Sequence, residues 1–303
     1  MITAAPTSKV PSAELLGEIV TWDIRSTEVS HHHVRDCLVK AGLDPDAAKE
    51  MSTKQAFTRA CKHLKENRTI DKIKSKAGVI SFQFTRKVLE GDEIEFDREC
   101  RVEVDTDSGV VRCDEKPELA TQAQGLLAYA MQTRNASDIT RLIQDLFKSH
   151  ADLYPINPQK GVAYFVPAAH QDFVEQVRQF VTSLGGCLWP FPVPKGTEQG
   201  NASVRDAVSM GLGTLLNELT EAVEGWDDNT RNTTMEKVQA KYDEVTAKVD
   251  AYAEYLLGAQ EGLLDQLKAA KARMVDRIIE LTDDDNEEST EALEREVSPA
   301  GAA

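Results

Sequence analysis

Hydrophobic positions along this chain repeat with two different periods, and the changes of period divide it into segments. Over residues 30–41, Val34, Cys37, Leu38 and Ala41 recur three and four apart. With Ser30 placed to cap and Gly42 to close, this predicts a helix. Leu43-Asp44-Pro45 turns the chain, Ser52 caps again, and Phe57, Ala60, Cys61 and Leu64 predict a second helix over residues 53–66. The period then drops to two. Residues 69–87 alternate, with Ile80, Phe82 and Phe84 on one face. After a turn at Glu90-Gly91-Asp92, the residues Ile94, Phe96, Cys100, Val102 and Val104 alternate with acidic positions. Asp107-Ser108-Gly109 turns again into residues 110–113, so the pattern is that of a three-stranded antiparallel meander, apolar on one side and acidic on the other. Upstream, Leu15, Leu16, Ile19, Val20 and Trp22 predict a short apolar element over residues 13–25, helical at first and extended near its end.

Downstream the pattern predicts helices over residues 117–131 and 135–149, the latter capped by Asn135 or Ser137. A hairpin follows over 153–166, then a helix over 168–184 and an extended segment over 187–193. Pro190, Pro192 and Pro194 remove backbone donors, so that last segment belongs at a sheet edge or in a linker. Residues 202–282 read as long helices. Val204, Val208, Leu212, Leu215, Leu219, Val223 and Trp226 mark one, and Met235, Val238, Tyr242, Val245, Val249, Tyr252 and Leu256 form a seam with coiled-coil spacing. Gly258 and Gly262 interrupt that seam before Leu263, Leu267, Ala270, Met274 and Ile278 resume it, which favours two helices folding back, or a kink, over one straight rod. The fold class is therefore α+β, with helix-turn-helix-like helices, an antiparallel β meander, a small α+β unit and a C-terminal long-helix region. The expected division is a loose lead-in 1–12, a domain 13–115, a domain 116–195, helices 202–282 and a disordered acidic tail 283–303.

Charge changes this picture. The chain holds 35 Lys+Arg against 51 Asp+Glu, net -16, yet residues 53–87 hold ten basic residues and two acidic ones, net +8. Such segregation presents a basic surface to something negative. The candidate binding residues are Lys54, Arg59, Lys62, Lys65, Arg68, Lys72, Lys74 and Lys76. A helix, a tight turn and a basic helix follow the order of a helix-turn-helix, and the basic alternating stretch after them stands where a winged-helix domain places its wing. The meander carries the opposite charge on Glu93, Glu95, Asp97, Glu99, Glu103 and Asp105, a candidate acidic face for a partner.

Candidate chemistry narrows the classes further. The five cysteines Cys37, Cys61, Cys100, Cys113 and Cys187 are scattered without a C-x-x-C pair, which suits reduced thiols in the cytosol. His33 with Cys37 and Cys61 with His63 would make a four-ligand zinc set, but residues two apart on a helix diverge by about 200° and do not converge on one ion. The triplet His31-His32-His33 belongs on a solvent-exposed first turn. No phosphate-binding glycine loop or nucleophile elbow occurs, and exposed alternating carboxylates lack the desolvation a general acid needs. No enzyme, cofactor, metal or small-molecule ligand is expected. The N-terminus lacks a signal-peptide pattern and no apolar run is long enough for a bilayer, so a cytoplasmic location without a membrane partner is expected. Two readings survive. The favoured one is a non-enzymatic structural or interaction protein, a homo-oligomer assembled through the 202–282 helices and charge-complementary surfaces. The alternative is nucleic-acid binding through residues 53–87, which the overall acidity opposes at long range.

Overall fold

The computed structural model describes residues 15–25, 28–66, 68–76, 78–90, 93–157, 163–227, 230, 232–256 and 258–297; of residues 76, 87–90, 93–95, 232 and 281–297 it describes the backbone alone. The fold is mixed α+β with antiparallel sheets and a C-terminal helical region. Two compact units interleave along the chain. One comprises Met1–Trp22, Ala151–Asp172 and Trp189–Ala303, the other Asp23–His150 and Phe173–Leu188. Among the described residues no helix is long and apolar enough to cross a membrane.

The second unit opens with β2 (Val29–Ser30) and α1 (His31–Lys40), where Ser30 Oγ accepts from the His33 amide at 3.1 Å. A 3-10 turn at Pro45–Ala47 leads to α2 (Thr53–His63). Then come β3 (Arg68–Lys76), β4 (Val79–Glu90), β5 (Glu93–Asp105) and β6 (Val111–Arg112), a four-stranded antiparallel sheet in that order. Next, α3 (Pro117–Gln132) returns onto α2, β7 (Thr133–Arg134) pairs with β2, and α4 (Ala136–His150) follows. The core between sheet and helices joins Phe57 and Cys61 to Phe82, Phe84, Cys100 and Val102, with Leu119 and Leu127 from α3. Each such large apolar side chain, fully buried, contributes roughly 1.5–3 kcal/mol. The main helical partner of α2 is thus α3, which lies more than fifty residues downstream, and not α1. The packed pair of consecutive helices that a helix-turn-helix requires is not what holds α2 in place.

The first unit is built on β1 (Leu15–Asp23), which is a strand along its whole length and not helical at its start. It lies inside a sheet of order β10-β1-β9-β8, with β8 at Tyr154–Pro155, β9 at Tyr164–Pro167 and β10 at Cys187–Pro194. Because this strand is covered on both faces, its apolar residues do not alternate cleanly. Gly17 permits the close approach of β9, since a Cβ there would come within 2.2 Å of the Val166 carbonyl oxygen. The proline-rich strand β10 takes the sheet edge, as its missing donors require. Between β9 and β10 the chain forms α5 (Gln171–Ser183).

The long helices are α6 (Glu198–Glu224), α7 (Asn232–Ala251), the short α8 (Ala253–Leu256) and α9 (Gln260–Val297). They pack on one another within the unit: Val208, Leu212 and Leu219 of α6 share a core with Val245 and Val249 of α7 and Leu263 and Leu267 of α9. Gly258, at φ 96°, turns the chain back, a conformation in which a Cβ is strained. The seam that reads as a coiled coil is therefore filled from within the chain. The tail expected to be disordered from Asp283 continues α9 as helix to Val297, in keeping with its Glu, Ala, Leu and Arg content.

Candidate nucleic-acid interface

The site is built first on α2. Its start is fixed by a reciprocal cap, in which Ser52 Oγ accepts from the Gln55 amide at 3.3 Å and Gln55 Oε1 accepts from the Ser52 amide at 3.2 Å. Ala56, Phe57, Ala60 and Cys61 turn inward. Cys61 is fully buried in the core, and that burial pushes its thiol up to about 12. The opposite face carries Lys54 and Lys62, both exposed, and Lys65 is exposed in the turn that follows. The chain then enters β3, an edge strand, where Lys72 and Lys74 flank a break in register. The intervening Ile73 is 49% exposed. Lysines beside a bulge also blunt a sheet edge against pairing with another strand. Among the described residues, the ammonium groups of Lys54, Lys62, Lys65, Lys72 and Lys74 take part in no ion pair. The Lys76 side chain lies outside the described residues.

The two arginines expected beside these lysines are engaged elsewhere. Arg59 Nη2 donates to Asp138 Oδ1 at 2.6 Å, and Asp138 in turn accepts from the Asn135 amide at 2.9 Å. Burial of Asp138 works against its charge, but the hydrogen bonds from Arg59 and Asn135 outweigh it and hold the carboxyl below its usual range. Arg68 makes a bidentate pair with Glu99, Nε to Oε2 at 2.6 Å and Nη2 to Oε1 at 3.1 Å, and Lys116 Nζ donates to the same carboxylate at 2.6 Å. With a side chain only 5% exposed and two cations on it, Glu99 is pulled down to about 2, by the Arg68 hydrogen bond first. Arg59 and Arg68 are thus structural cations and leave the proposed binding set.

The acidic face needs a correction of the same kind. In the β4–β5 ladder Phe84 pairs with Cys100 and Thr85 with Arg98, so Glu99 is the extra residue of a β-bulge. The bulge shifts the alternation. Cys100, Val102 and Val104 are fully buried, whereas Phe96, which strict alternation places with them, is 59% exposed. Gln83 Nε2 donates to the Cys100 carbonyl at 2.8 Å beside the bulge. Glu103 accepts from Ser81 Oγ at 2.6 Å and pairs with Arg101, and Asp105 closes a turn by accepting from the Ser108 amide at 2.8 Å and the Asp107 amide at 3.1 Å. Glu99, Glu103 and Asp105 are thus each engaged by groups of their own chain, Glu99 buried and the other two part-exposed. Asp97 is exposed, while the side chains of Glu93 and Glu95 lie outside the described residues.

A family model matches residues 15–286, a span that runs from β1 into α9. The chain belongs to DUF6744, a family of unknown function. No curated protein and no solved structure matches it. Membership in DUF6744 fixes the extent of the conserved unit and leaves its chemistry to the geometry.

In this DUF6744 chain the histidine triplet divides. His32 and His33 are exposed, but both ring nitrogens of His31 are buried without a hydrogen-bond partner among the described residues, and burial, then Arg134 and Arg35, push its pKa down. His33 Nε2 lies 3.6 Å from Cys37 Sγ. Among the described residues no group of three or more His, Cys, Asp and Glu side chains is gathered as a metal ion would require. An open cleft of about 380 Å³ lies against α2, bordered by Gln55, Thr58, Lys62 and His63 with Asn135 across it. The residues that sequence reasoning passed over are Asp138 and Lys116, the intrachain partners of Arg59 and Glu99. Asn135-x-x-Asp138 does carry the spacing of a reciprocal cap, but nothing local joins Asp138 to an arginine 79 positions upstream.

Proposed function

We propose that this protein binds nucleic acid through the lysine face of α2, the turn after it and β3. One observation carries the reading: within a stretch of net +8, two of the three arginines, Arg59 and Arg68, are paired with the chain's own carboxylates, while five lysines are exposed without an ion pair among the described residues. A lysine that forms no internal pair can displace a phosphate's counterion, the source of affinity that does not depend on sequence. Ammonium groups position a phosphate backbone but do not read base edges as arginine, asparagine or glutamine do in bidentate contacts. The expected recognition is therefore of the backbone, tolerant of sequence and sensitive to salt. Fluorescence anisotropy of the full chain with a labelled DNA duplex, and with one of its single strands, tests it. Lys54→Glu, Lys62→Glu and Lys65→Glu made together should abolish saturable binding while the fold is retained; binding unchanged in that variant rejects the reading.

A second reading is favoured by a separate observation. On α9, Val275, Ile278 and Ile279 are 45%, 40% and 53% exposed at helical spacing. An apolar stripe of this kind matches the same stripe on a second copy, so we also propose self-association through α9. Sedimentation of wild type against Ile279→Glu tests it: the mass should fall to that of one chain in the variant, and a monomeric wild type removes the reading.

A further inference from the structure

In the unit that holds α2, the 3-10 turn at Pro45–Ala47 and the residues after it face α2 and the start of α4 across a groove of about 250 Å³. Arg134 stands in its wall. This side chain belongs to a residue only 6% exposed, fixed by the pairing of Arg134 with Val29 between β7 and β2. A guanidinium has five N–H donors. Three are taken by backbone carbonyls: Nη1 donates to Met131 at 3.1 Å and to Thr133 at 2.8 Å, and Nη2 to Lys49 at 3.2 Å. The Nε–H and the second Nη2–H have no acceptor among the described residues, and no carboxylate lies within ion-pair distance.

Asp138, already held by Arg59 and by the Asn135 amide, makes no ion pair with Arg134 among the described residues. Burial disfavours the charge on Arg134, and the more distant charges of Asp138 and Glu50 offset part of that. A largely buried guanidinium whose carboxylate neighbours stand beyond ion-pair distance attracts an anion that can reach its remaining donors.

We infer that this groove is a binding site for a small organic monocarboxylate, with its carboxylate on Arg134 and its apolar body against Ala47 and Met51, the half-buried apolar residues of the lining. The charge balance favours a monoanion over a phosphate dianion. Lys49, Arg59, Arg134 and Arg141 line the groove against Glu50, Asp138 and Asp145, a formal excess of one positive charge. The volume limits the ligand as well, being below the roughly 300–1,000 Å³ of pockets for drug-sized molecules. Nothing in the residue pattern around Arg134 signals this site, since the groove is assembled from segments about ninety positions apart. It is independent of the lysine face and stands whether or not nucleic acid binds there.

The test is calorimetric titration of the full chain with phenylacetate, hexanoate and inorganic phosphate. Phenylacetate and hexanoate should each bind saturably with one site per chain, and phosphate at least tenfold more weakly. Arg134→Gln should weaken the two carboxylates tenfold or more, as expected for loss of a charge-assisted hydrogen bond. Because that change also disturbs three backbone contacts, Ala47→Trp provides a second variant that fills the groove from its rim while keeping Arg134; it should abolish binding with the melting transition preserved. Absence of saturable binding by either carboxylate, phosphate binding as tightly as they do, or wild-type affinity in Ala47→Trp would each overturn the assignment.

Discussion

The α2–β3 lysines and the β5 carboxylates look alike as sequence: each is a run of like charges at regular spacing opposite an apolar face. In the folded chain they are opposites. The carboxylates Glu99, Glu103 and Asp105 are consumed by Arg68, Lys116, Ser81, Arg101 and the turn at Ser108, while the lysines Lys54, Lys62, Lys65, Lys72 and Lys74 form no ion pair among the described residues. The difference lies partly in residue chemistry. Arginine's planar fork matches a carboxylate bidentately, as Arg68 does on Glu99. Lysine is a hydrated point charge on a flexible stem, and Lys116 shows that it too is drawn in where a buried carboxylate is within reach. A charge run is therefore better divided by the partners its members find before it is assigned to a surface.

That contrast is broken most severely by charge reversal on the lysine side. Lys54→Glu, Lys62→Glu and Lys65→Glu together should weaken nucleic-acid binding by on the order of a hundredfold or more, yet change unfolding free energy by no more than about 0.5 kcal/mol, since all three are exposed and their ammonium groups make no ion pair among the described residues. On the carboxylate side the reverse is expected. Glu99→Gln should cost about 2–3 kcal/mol in a urea titration, because Arg68 and Lys116 lose a shared and largely buried partner, and should leave DNA affinity unchanged. The pH dependence has the matching sign. Glu99 is lowered from 4.5 to about 2 in the folded chain, so its contribution is complete above about pH 4.5 and is lost as pH falls toward 2. The wild type should therefore lose more stability than Glu99→Gln over that window, and equal losses would remove Glu99 as the cause. Arg59→Ala should cost about 1–2 kcal/mol by leaving Asp138 without its cation. Smallest of all, Lys72→Glu with Lys74→Glu should reduce DNA affinity a few fold without altering stability, which anisotropy and a urea titration together would show.

Much of this architecture was legible where local chemistry decides it. Ser30 and Ser52 mark helix starts because a hydroxyl satisfies an otherwise unpaired amide. Pro190, Pro192 and Pro194 consigned β10 to an edge, and the seam from Val238 to Leu256 with its stop at Gly258 predicted helices that fold back. What failed depended on partners distant in sequence. β1 was half misread because a strand covered on both faces shows no clean alternation. The bulge at Glu99 displaced Phe96 from the core face, and a pattern of single residues cannot show one extra residue in a ladder. The pairs that neutralise Arg68 and Arg59 span 31 and 79 positions, which no local window joins. Sequence located the basic stretch, and only tertiary structure separated its exposed lysines from Arg59 and Arg68.

The most direct test of the central claim is the salt dependence of DNA binding by the full chain, measured for wild type and for Lys54→Ala, Lys62→Ala and Lys65→Ala together. If the five lysines are the contact surface, log K should fall with log salt at a slope of about -4 on a duplex, and the slope of the variant should be shallower by about 3. A wild-type slope near zero, or the same slope in both proteins, would contradict the account.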